Sequence, residues 1–94
     1  MPDGYDLAVL DAVDEGLLVL GESGRERVYY RLEMNHRIKR EEIPDRPEDF
    51  YEALVDMFGE GAKIFGKIIA KNLYGRLGLT FSEHENWTLV DYVN

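Results

Sequence analysis

Ninety-four residues, 45% of them hydrophobic and 32% charged, suffice for one folded domain with a single modest core. Nineteen acids against eleven bases give a net charge of −8, the wrong field for general nucleic-acid binding, which draws its affinity from Lys and Arg neutralising phosphates. The absence of cysteine removes disulfide staples, thiolate zinc sites and thiol catalysis together, and it points to a reducing, cytoplasmic setting.

The N-terminus, Met1-Pro2-Asp3-Gly4, lacks the basic-then-apolar pattern of a signal peptide, and no apolar run reaches the ~18 residues of a membrane span. From Asp6 to Leu20, the residues Leu10, Val13, Leu17 and Leu20 step by three and four, which predicts a first helix with Asp3 as its cap. Gly16 weakens this helix by about 1 kcal/mol relative to Ala, and Gly21 reads as its stop. Ser23-Gly24-Arg25-Glu26 has the form of a capping box, so a second helix is expected from about Gly24 to Asn35, with Val28, Tyr29 and Leu32 as its inner face. Ile43-Pro44 falls in a connection, because a residue before proline is pushed away from the helical region.

Pro47, followed by Glu48 and Asp49, suits the first turn of a third helix, in which Phe50, Leu54 and Phe58 are spaced by four and Gly59 follows as the end. A fourth helix runs from about Ala62 to Leu77, its apolar arc wide, with Lys63, Lys67 and Lys71 as the wet stripe and Gly78 as its end. Gly66 would allow another backbone close. Residues 79–94 admit two readings: a hairpin, or a short helix capped by Asn86 with Trp87, Val90 and Val93 inward. The helix is favoured because a lone hairpin is only marginally stable. The chain thus reads as an all-α, compact bundle of four to five helices, one domain over residues 1–94. Leu10, Leu17, Leu32, Leu54, Phe58, Phe65, Ile68, Ile69 and Leu73 form the expected core.

Catalytic and ligand-binding patterns are sparse. His84 stands between Glu83 and Glu85, but adjacent side chains point apart, so it reads as a loop histidine; His36 falls at a helix end, where a cation is favourable. Gly59-Glu60-Gly61 lacks both the third glycine and the preceding strand of a dinucleotide fingerprint, and reads as a helix-to-helix corner. With two Ser, two Thr and two isolated His, the chain offers no nucleophile–base–orienter set. No enzyme, metal or cofactor is expected.

Seven of the eleven bases fall between Arg25 and Arg46, interleaved with six acids from Glu22 to Asp45. Within this stretch Arg25, Arg27, Tyr30 and Arg31 form the expected partner surface, since Tyr and Arg are enriched where proteins meet. Of Tyr29 and Tyr30, neighbours on a helix, one is expected at the core and the other at a rim. The function expected is a non-catalytic interaction or regulatory module that docks a protein partner, with a homodimer as one form. The alternative is a nucleic-acid-associated regulator using the region Arg25–Arg46. A small ligand held between helices is a third reading, because apolar pockets leave no motif.

In Val28-Tyr29-Tyr30-Arg31-Leu32-Glu33, Ile38-Lys39-Arg40-Glu41-Glu42-Ile43-Pro44, Pro47-Glu48-Asp49-Phe50 and Phe58-Gly59-Glu60-Gly61-Ala62-Lys63, together with Gly21-Glu22-Ser23-Gly24, the chain resembles a family of small archaeal domains, the Nitrosopumilus-type output domains. The likeness spans about Asp6 to Tyr92. It implies a compact helical module acting as a signalling output, of archaeal origin, and it carries over no catalytic residues.

Overall fold

The computed structural model describes residues 3–94. Five α-helices follow in order: α1 (Gly4–Leu17), α2 (Gly21–His36), α3 (Pro47–Phe58), α4 (Gly61–Arg76) and α5 (Leu89–Val93). Two 3₁₀ turns, Leu18–Leu20 and Arg40–Asp45, join α1 to α2 and lead into α3. No strand occurs among the described residues.

The Asp3 carboxylate accepts from the Asp6 amide at 2.8 Å and caps α1, as the sequence predicts. The helix ends three residues early, however, at Leu17. Gly21, at φ 81°, turns the chain there, so that Leu18, Val19 and Leu20 stand exposed and Leu20 does not extend the buried face. Helix α2 starts at Gly21, which places Ser23 inside the first turn; the expected capping box is not formed, because its cap residue is already helical. At the far end Arg37 is left-handed, at φ 55°, and the Arg37 and Ile38 amides both donate to the Leu32 carbonyl. That turn sends Ile38, 1% exposed, into the core.

Helices α1 and α4 pack most extensively and form the centre of the molecule. A Cβ on Gly16 would sit 2.6 Å from the Ile69 side chain, so the glycine lets α4 lie against α1. Gly66 does the same for α5, where a Cβ would lie 3.2 Å from that of Leu89. Helix α3 closes over α4, and Phe50, Ala53 and Leu54 are fully buried. Gly78, left-handed at φ 71°, ends α4 and lets the Leu79 amide reach the Tyr74 carbonyl at 2.8 Å.

Of the expected core, Leu10, Leu17, Leu32, Leu54, Ile69 and Leu73 are buried, while Phe58, Phe65 and Ile68 are only half-buried. Phe58 and Phe65 pack against the core from outside it. They also pair with each other, ring centroids 4.7 Å apart. Val13, Ile38, Ile43 and Phe50, outside that expectation, fill the core.

The tail is helical, but its register differs from the expectation. Thr88, not Asn86, precedes the helix, and its amide donates to Asp91 at 2.9 Å. Leu89 and Tyr92 face inward, whereas Trp87 is 38% exposed. Tyr92 fastens the segment: its hydroxyl accepts from the His84 amide at 2.8 Å, and its carbonyl accepts from the Tyr74 hydroxyl at 2.7 Å.

Candidate docking surface

Helix α2 is the most polar of the long helices, burying only Val28 and Leu32. One polar cluster ties it to the rest. Tyr29 donates to the Asp14 carboxylate on α1, and Arg40 donates to the same carboxylate through Nε at 3.1 Å and Nη2 at 2.5 Å. Desolvation raises the Asp14 pKa, but hydrogen bonds from Arg40 and Tyr29 outweigh it and hold the carboxyl below its usual range. Burial, and then the bond to Asp14, push the Tyr29 hydroxyl well above 10. Tyr29 is thus the inward member of the tyrosine pair and Tyr30, 64% exposed, the outward one.

The four residues expected as a partner surface separate on this helix. Arg27 and Arg31, one turn apart, border a groove of about 210 Å³ between α2 and the end of α3. Its apolar lining is Leu20, Val28, Met57 and Phe58, and Gly24 lets Leu20 pack close, since a Cβ there would stand 2.6 Å from that of Leu20. Tyr30 lies instead beside Glu26, Glu33, Lys39, Arg40 and Glu41, around a more open and more polar depression. Arg25 is half-buried on the side of Asp14, whose carboxyl its charge helps to hold low.

Charges sort in the same way. Arg40 is committed to Asp14, and Arg46 to Asp49 at 3.1 Å and Glu42 at 4.0 Å. Among the described residues, Arg27 and Arg31 have no acid within 4 Å. The groove therefore combines an apolar floor with two unneutralised guanidinium groups. Exposed Leu18 and Val19 continue the apolar surface beyond Leu20.

The histidines stand apart. His36, in the last turn of α2, places Nε2 3.4 Å from Asp56 without hydrogen-bond geometry. His84 stacks on Trp87 at 3.8 Å, and the neighbouring Glu83 turns away to Lys67 at 2.5 Å. No three His, Asp or Glu side chains gather as a metal-ligand set among the described residues.

Leu20, Met57 and Phe58 were not legible as a surface. Phe58 sits on the apolar stripe of α3, and only the early end of α1 brings Leu20 beside it. The run Leu18-Val19-Leu20 before Gly21 is the one signal that could have shown an exposed apolar corner.

Comparison with protein-family models, with curated proteins and with solved structures finds no match for this chain. Among the described residues the fold is all-α, with five α-helices. No described helix is long and apolar enough to cross a membrane.

Proposed function

We propose that this domain is a non-catalytic docking module of the cytoplasm, whose α2–α3 groove receives an acidic amphipathic helix of a protein partner. The observation that carries this is the pairing of an apolar groove with Arg27 and Arg31, which among the described residues have no acid within 4 Å. A helix laying an apolar face into such a groove, with Glu or Asp along its edge, meets both features at once. A regulatory output role accords with this reading, as does the resemblance to the archaeal output domains. The lack of cysteine supports the compartment.

Nucleic acid is the less favoured partner. Arg40 and Arg46 are spent within the chain, and the depression at Tyr30 holds Glu26, Glu33 and Glu41 beside Lys39 and Arg40 and includes neither Arg27 nor Arg31. The test is titration with a Leu/Glu amphipathic peptide, with a Leu/Lys peptide and with duplex DNA. The acidic peptide is expected to bind, and the double substitution Arg27→Glu, Arg31→Glu to weaken it at least about tenfold. Preference for the basic peptide, or DNA binding that falls steeply with salt, would overturn the reading. A second copy as occupant would show as a dimer in sedimentation that the same substitutions dissociate.

A further inference from the structure

Between α1, α3, α4 and α5, under the Arg40–Asp45 turn, lies a part-enclosed pocket of about 190 Å³ that shares no lining residue with the α2 groove. Its walls are Val13, Ile43, Phe50, Ile69, Leu73 and Leu89, each at most 4% exposed and all apolar. Tyr5, Val93 and Asn94 are the outer members of the lining, and Tyr5 brings a phenol hydroxyl and Asn94 polar groups to the mouth.

We propose that this pocket is a binding site for a small neutral aromatic molecule of one or two rings, its polar edge toward Tyr5 and Asn94. Size sets the first limit. Apolar cavities of ~150 Å³ take up benzene, whereas drug-sized ligands occupy roughly 300–1,000 Å³. Charge sets the second. No Lys or Arg lines the pocket. A carboxylate guest would lose its hydration among apolar walls with no cation to receive it. A neutral N–H or O–H edge meets no such barrier, and Tyr5, partly desolvated and held in its neutral form, can accept from it or donate to it.

The site also has a physical use. The six wall residues come from five elements, so occupancy ties the Arg40–Asp45 turn and α5 to the α1–α4 centre. A ligand that binds only the folded form raises its melting temperature by mass action.

The experiment uses the full chain with methyl-labelled Ile, Leu and Val, titrated with indole, phenol and decanoate. Indole or phenol is expected to shift the methyls of Ile43, Ile69, Leu73 and Leu89, to raise the melting temperature, and to bind more tightly than decanoate. Val93→Phe, which fills the mouth from a half-buried position, is expected to weaken indole at least about tenfold. If that variant does not fold, the wild-type methyl map decides alone. Shifts confined to the groove beside Leu20 and Phe58, tighter binding of decanoate, or no shifts at millimolar indole would each overturn the proposal.

Discussion

Gly16 on α1 lies directly against Ile69 on α4: a Cβ at position 16 would stand 2.6 Å from Ile69 Cγ1. In an isolated helix Gly is worth about 1 kcal/mol less than Ala. Here the missing side chain is what allows the two central helices to touch. Gly16→Ala is therefore expected to destabilise the protein by ~1–3 kcal/mol, because the buried Ile69 side chain would have to shift from its packed position on α1. Gly75→Ala, on α4 with nothing within 4 Å, is the control, and should stabilise by roughly 0.5–1 kcal/mol. Urea unfolding of both variants checks the pair.

Asp14 makes stability depend on pH. Its carboxyl is held below the ordinary value in the folded protein, so the contribution is complete above the unfolded value, ~3.9, and is lost as pH falls through the folded one. Tyr29 works at the other end. Its hydroxyl is raised, so the unfolded chain ionises first and stability falls as pH rises past ~10. Asp14→Ala leaves Tyr29 and Arg40 without their acceptor and should cost about 1–3 kcal/mol at neutral pH, with a flatter acid limb. Chemical denaturation across pH reads both limbs.

Arg37 closes α2 in a left-handed conformation that glycine adopts without penalty. Its carbonyl accepts from Arg46 at 2.8 Å, a bond that does not require the Arg37 side chain. Arg37→Gly should raise stability by about 0.5 kcal/mol, the relief of strain exceeding the added freedom of the unfolded chain. Thermal melting is sufficient to see the sign.

Adjacent isoleucines on α4 separate core from flank. Ile69, 1% exposed, touches α1, whereas Ile68 is half-buried beside Lys67 and Lys71. Ile69→Asp should abolish cooperative unfolding, since an unpaired buried charge costs several kcal/mol out of a total of ~5–10. Ile68→Asp should leave a two-state transition at lower midpoint. Equal effects in denaturant melts would refute the placement of α4.

These contrasts show what the sequence made legible. Steps of three and four placed every long helix, and Pro47, Gly59 and Gly78 marked ends that the chain obeys. Periodicity speaks of faces, however, not of neighbours. It could not say that Gly16 serves a contact with Ile69, nor that Phe58 and Ile68 lie at the edge of the packing. The start of α2 was missed because Ser23-Gly24-Arg25-Glu26 satisfies a capping pattern locally, while the turn at Gly21 is set by where α1 must stop. In the tail, Tyr92 settles the register through bonds to His84 and Tyr74, partners that no spacing rule connects. For the candidate surface, Arg27 and Arg31 were legible but Tyr30 was not separable from them. One residue on a helix turns the side chain by about 100°, and only the position of α3 decides which side holds the groove.

The most direct measurement is an amide chemical-shift map of the ¹⁵N-labelled chain titrated with the acidic Leu/Glu peptide. Docking in the α2–α3 groove predicts that the largest shifts fall at Leu20, Gly24, Arg27, Val28, Arg31, Met57 and Phe58. Shifts centred on Tyr30 and Lys39, on the α5 segment, or spread without a focus would contradict it.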